Sequence, residues 1–184
     1  VIAYHPYEGD TFALLPDDSI RCSLYNHTPG IPALGIDDQQ VAVPGDMNEY
    51  DSTFSGYIQV AMSDSAYIDL RLRGAANATQ CSVFVTGVKL DDSPLNTNLR
   101  LHVVVTEDSL ITVPMGARTD RVPRRFLPDV TGKAFLLAAR FDSLADTLTF
   151  DPTGLQLNQL SVAAFVEDES NHQVKQAAEL RRFF

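Results

Sequence analysis

The 184-residue chain predicts an α+β protein: a mixed α/β unit over residues 1–63, then an antiparallel β-sandwich over residues 64–184. Two observations set that division. Apolar residues recur at helical spacing up to Ala61, then at a period of two from Tyr67 onward. The change of period falls on Ser63-Asp64-Ser65, a polar stretch that reads as a boundary. A third observation gives the second unit its class. Its strand-like runs are short and follow one another at close spacing, with turn residues between them.

The elements follow in order. Val1–His5 is a short apolar strand, closed by Pro6, and Asp17 to Tyr25 reads as a short helix. Gly30-Ile31-Pro32 is a tight loop in front of the apolar run Ala33–Ile36, so Pro32 stands at a strand entrance, where a missing N–H costs least. Ala33–Asp37 and Gln40–Val43 form a hairpin across Asp38-Gln39, broken by Pro44-Gly45-Asp46. Tyr50, Phe54, Tyr57, Ile58 and Ala61 then share one face of a helix, whose apolar stripe is expected to pack as core.

Beyond the boundary, Ile68, Leu70 and Leu72 alternate with Tyr67, Asp69, Arg71 and Arg73. Further strands are expected at Gln80–Leu90, Asn98–Glu107, Leu110–Pro114, Lys133–Ala139, Asp146–Phe150, Gln159–Asp168 and Val174–Glu179, the last two joined by the loop Glu169–His172. Seven or eight such strands argue an immunoglobulin-like sandwich in architecture, although the Cys–Trp–Cys pattern of immunoglobulins is absent.

The totals narrow the function. A formal net charge of −10 argues against a nucleic-acid backbone or an anionic membrane surface as partner. No apolar run approaches the roughly 20 residues of a membrane span. The two cysteines, Cys22 and Cys81, lack metal-ligand spacing and do not form Cys-x-x-Cys. Each reads as a buried small hydrophobe, or the two join as a disulfide between the units in an oxidising compartment. The histidines His5, His27, His102 and His172 are dispersed and read as structural. No catalytic residue, cofactor or metal site is expected. Acidic pairs such as Asp91-Asp92 read as solvated turn residues.

The basic segment Arg118–Arg125 stands out in an acidic chain. It reads either as a solvated loop whose arginines pair with the protein's own carboxylates, or as a docking patch formed by Arg118, Arg121, Arg124, Arg125 and Phe126. Arginine beside aromatic and proline residues is enriched at interfaces. The end Arg181-Arg182-Phe183-Phe184 adds a second such cluster. Asn26-His27-Thr28 and Asn77-Ala78-Thr79 match the glycosylation pattern, which is short and frequent by chance.

Three stretches carry a resemblance: Val1 to Asp10 with Arg21 to Asp37, Arg121 to Gly132 (RVPRRFLPDVTG), and Leu160 to Leu180 (LSVAAFVEDESNHQVKQAAEL). In them the chain resembles the secreted bacterial outer-membrane-protein-28-related family, in which a thioredoxin-type domain precedes a β-sandwich. The resemblance implies that residues 1–63 are the second half of a thioredoxin fold and that Ile31-Pro32 is cis. It also implies an extracytoplasmic place: periplasm, outer-membrane surface or secreted. The Cys-x-x-Cys helix of a redox thioredoxin would precede Val1. The expected function is therefore a non-catalytic accessory protein of the cell envelope that binds a protein partner or joins a larger assembly. The alternative is a thiol–disulfide oxidoreductase whose dithiol lies upstream. In a half thioredoxin, Val1–His5 would present an open strand edge. A partner's strand, a second copy of the chain or upstream residues would be expected to cover it. That makes Ile2, Tyr4, His5, Ile31 and Pro32 the other candidate interface.

Overall fold

A computed structural model describes residues 17, 20, 34–36, 39–41, 50–63, 65–77, 79–95, 97–111 and 118–181. Val1–His5, the Ile31-Pro32 bond and Cys22 lie outside the described residues. Among the described residues the fold is β-rich α+β, with antiparallel sheets and one long helix.

Strand β1 (Leu34–Ile36) pairs with β2 (Gln39–Val41). Ile36 faces Gln39, so the reversal comes one residue earlier than the sequence suggested. Helix α1 (Tyr50–Met62) follows where the apolar spacing put it, and it ends as Ser63 donates from both its N–H and its hydroxyl to the Val60 carbonyl. Its stripe is not the core that was expected: Tyr57 and Ile58 are exposed and Phe54 is half-buried. The reason lies in the sandwich. Among the described residues, the main core cluster is filled by side chains between Ile68 and Leu180, and none of them lies on α1.

The first of those sheets has the order β10-β4-β3, from β3 (Ile68–Ala76), β4 (Cys81–Lys89) and β10 (Ser143–Phe150). The second runs β12-β11-β5-β8, from β5 (Leu99–Glu107), β8 (Val122–Leu127), β11 (Leu160–Asp168) and β12 (Gln173–Arg181), with β9 (Lys133–Ala134) also on β5. Between them lies one apolar layer, including Ile68, Val83, Val85, Leu101, Val103, Phe150, Val162 and Val166. Alternation explains it: every second residue of β4, from Cys81 to Lys89, points inward and is buried. Phe135 fills the centre, fully buried, with its ring against Gly87. A Cβ there would come within 2.6 Å of the ring, so only glycine fits.

Two readings need correction. Lys133–Ala139 is a strand only to Ala134. After that, Asp142 accepts hydrogen bonds from the Ala138 and Ala139 amides and holds a turn instead. The stretch Arg118–Arg125 is also not a loop. It supplies β7 (Arg118–Thr119) and most of β8, and Val122, Pro123, Phe126 and Leu127 are buried. Pro123 hid the strand, but a proline is tolerated on an edge or at a bulge. A bulge is present: Val105 faces Arg125 and Thr106 faces Pro123, which leaves Arg124 as the extra residue.

Candidate functional site

The arginine segment forms an arm on the five-stranded sheet. β5 and β8 pair up to Glu107 and Val122. The two chains then bend and pair again as β6 (Leu110–Ile111) with β7, in a separate two-stranded sheet. The bend is made by Ser109 and Arg121, each at φ 62°, a conformation non-glycine residues seldom adopt. Two carboxylates hold it crosswise. Asp108 accepts from the Arg121 amide at 2.9 Å, and Asp120 accepts from the Ser109 amide at 2.7 Å. The Ser109 amide, and after it the Arg118 guanidinium, hold the Asp120 carboxyl below the usual carboxylate range. A strained bend held from both sides gives the arm a fixed direction.

The predicted arginines gather around this bend. Arg118 lies 3.0 Å from Asp120. The Arg121 side chain lies between Asp108, at 3.5 Å, and Glu179 of β12. Glu179 also takes Arg181 at 2.8 Å, so the C-terminal basic cluster meets the first one through a shared carboxylate. The bulge turns Arg124 toward buried Glu107, 3.4 Å away, whose other oxygen accepts from the Gln156 amide. Arg125 donates to the Arg124 carbonyl at 2.6 Å. Phe126 does not join the arginines at the surface. It is buried with Val104, Val130 and Phe165 in a second apolar cluster. The side chains of Arg118 and Arg181 stay 63% and 72% exposed, and Ile111, the cross-strand partner of Arg118, is exposed on the arm. Of the other candidates, Ile2, Tyr4, His5, Ile31 and Pro32 lie outside the described residues. Cys81 is a buried free thiol, and burial pushes its pKa up.

The sequence reading missed a polar cluster at the opposite end of the same sheet. His102 of β5 and Phe165 of β11 are cross-strand partners on the outer side, with rings stacked at 5.1 Å. Two residues on, the buried Glu167 carboxylate lies 3.5 Å from His102 Nε2 and 2.8 Å from His172 Nδ1. His172 reaches it from the β11–β12 turn, at φ 57°. A β-bulge beside Glu167, with Lys175 as the extra residue, re-aims the strand there. Gly132, at φ +70°, leaves room for His102, since a Cβ there would sit 2.7 Å from Nδ1. His102 lies too far from Glu167 and His172 in sequence for any spacing rule. The hint was the unbroken apolar run at Val103–Val105, which marks a strand buried on both faces. Among the described residues, no group of three or more His, Cys, Asp and Glu is arranged to hold a metal ion. Among them, too, no helix is long and apolar enough to cross a membrane.

No family model matches the chain, and no curated protein matches it. Among solved structures it is similar to HBP35 of Porphyromonas gingivalis, with 18% identity and a TM-score of 0.71 over 90% of this chain and 57% of that one. The likeness is one of fold. The chain spans little more than half the length of that protein. A domain of the outer membrane lipoprotein Omp28 from the same organism also aligns, at 17% identity and a TM-score of 0.49, over 65% of this chain and 90% of that domain.

Proposed function

We propose that this chain is an extracytoplasmic, non-catalytic accessory protein of the outer-membrane-protein-28-related kind, which docks a protein partner through the β6–β7 arm. In this reading residues 1–63 are a partial thioredoxin-like unit and residues 64–184 an immunoglobulin-like sandwich. The fold likeness to HBP35 supports the β-rich architecture of this reading, and the cell-envelope setting rests on the sequence resemblance.

The observation that carries the reading is the crosswise hold of Asp108 and Asp120 on the bend. Two positive-φ residues cost free energy, and exposed arginine pairs return little of it because water and salt screen them. Such a bend makes sense where an arm has to be presented in one direction. It then displays Ile111 and Arg118 with less ordering left to lose on binding.

A photo-cross-linking amino acid placed at Ile111 or Arg118 in the intact source cell tests this. The expected result is one discrete protein adduct from both positions, in the envelope fraction, and none from exposed Asn158 at the 3-10 turn. Adducts no more frequent or discrete than those from Asn158 would defeat the docking role. Recovery of the chain in the cytosolic fraction would defeat the location.

A further inference from the structure

We propose that the outer face of the three-stranded sheet is a docking surface for an acidic, partly apolar segment of a partner protein. The proposal rests on the reading of the chain as a protein-binding module, but it uses a surface separate from the arm.

The registers lay the face out in rows. Arg73 of β3, Phe84 of β4 and Thr147 of β10 lie side by side, and the next row is Arg71, Thr86 and Ala145. Side chains at such positions are direct neighbours, with Cβ atoms about 5 Å apart. Phe84 is on the central strand and is 40% exposed, so an aromatic ring stands open in the middle of a flat sheet. The residues around it are small or hydroxylic: Ser82, Thr86, Ala145, Thr147 and Thr149.

Charge decides the partner. The sequence holds 24 acidic residues against 14 Lys and Arg. Almost every described cation is engaged. Arg71 takes Asp69 at 2.6 Å, Arg100 takes Glu169, Arg118, Arg121, Arg124 and Arg181 take carboxylates, and Arg125 donates to the Arg124 carbonyl. Lys133 takes Asp146, Lys89 donates to the Ala138 carbonyl, Lys175 donates to Gln173, and Arg140 lies over Phe141. Among the described residues, Arg73 is the one cation with no such contact, although the chain has carboxylates to spare. It stands beside the open Phe84. The outward positions of the face hold one acid, Asp69, and Arg71 already neutralises it. The face therefore offers an unspent guanidinium, an aromatic ring and hydroxyls, and it repels little negative charge. Arginine and aromatic residues are the types that carry most binding energy at protein interfaces. Their complement is a carboxylate next to an apolar side chain.

The test is a titration of the isotope-labelled full chain, followed by amide NMR. The probe is a synthetic acidic peptide in which glutamates flank one leucine and one phenylalanine. The expected shifts centre on Arg73, Phe84, Thr86 and Thr147, and they weaken as salt is raised. Arg73→Glu and Phe84→Ser should each raise Kd about tenfold or more, while the thermal midpoint of Arg73→Glu stays at the wild-type value. A lysine-for-glutamate version of the peptide should not bind. The proposal is overturned by three results: shifts centred elsewhere, equal affinity in Arg73→Glu, or binding of an oligogalacturonate while the peptide leaves the spectrum unchanged. The arm cross-links remain a separate readout, so either reading can fail without the other.

Discussion

The two sheets present their outer faces differently. On the five-stranded sheet, outward residues of β5 and β11 such as His102, Val104, Thr106, Phe165 and Glu167 are buried. On the three-stranded sheet, Arg71, Arg73, Phe84, Thr86, Thr147 and Thr149 are exposed. Both sheets send alternate residues into the same core, so the inner faces do not distinguish them. The difference is in what each sheet asks of its outward residues. A covered face can hold polar side chains only if they find partners, and the Glu167 carboxylate has two histidines. An open face can leave a charge unpaired because water solvates it, and Arg73 is such a charge. The covered face is therefore a stability element and the open one is free to bind.

The largest expected effect tests the covered face. Glu167→Ala removes the carboxylate that both His102 and His172 approach, and leaving two imidazoles without that partner costs about 3 kcal/mol. Thr86→Ala on the open face should shift stability by less than about 0.5 kcal/mol. Denaturant unfolding of both variants measures the contrast, and comparable losses would show that the open face is also structural.

Gly132→Ala comes next. The φ of +70° disfavours any side chain, and the new Cβ would press on His102 Nδ1 and the Leu101 carbonyl. A loss of about 1–3 kcal/mol is expected, with the imidazole resonances of His102 shifted. An unchanged midpoint would mean that the His102 pocket has slack.

The smallest effect is local and depends on acid. Asp120, Asp129 and Asp151 all have carboxyls held below the usual range, Asp120 by the Ser109 amide first and the other two by threonines two residues on. A depressed carboxylate stabilises its turn above the unfolded value, near 3.9, and that contribution is lost as pH falls through the lower folded value. Amide exchange at Ser109, Thr131 and Thr153 should accelerate, relative to the intrinsic rate, only below about pH 4. Acceleration beginning near neutral pH would assign the loosening to some other group.

Much of the sandwich is legible in the sequence because one face of each strand is buried and the period of two survives. Ile68, Leu70 and Leu72 announce β3, and the turn at Asp91 behaves as its composition suggests, with the carboxylate accepting from the Ser93 amide and hydroxyl. The Asn77 side chain likewise closes its own turn by accepting from the Thr79 and Gln80 amides. β8 was hidden because its bulge breaks the alternation at Arg124 and because Pro123 reads as a breaker. The arginines were visible as a cluster, but apart from Asp120 their carboxylates are Glu107 of β5, Asp108 just after it and Glu179 of β12, so most of the pairing is a product of topology. Asp69, two residues before Arg71 on the same strand face, is the one local difference between Arg71 and Arg73. The neighbour Phe84 and the missing carboxylate become evident only once the register is known.

The contrast between the faces is tested most directly by one paired measurement, the unfolding free energies of Phe165→Ala and Phe84→Ala in the same denaturant. Phe165 is buried against His102, Val104 and Phe126, so its truncation should cost about 3–5 kcal/mol. Phe84 already meets water and should cost less than about 1 kcal/mol. A loss at Phe84 as large as that at Phe165 would contradict the account, because the ring would then serve the fold rather than a partner.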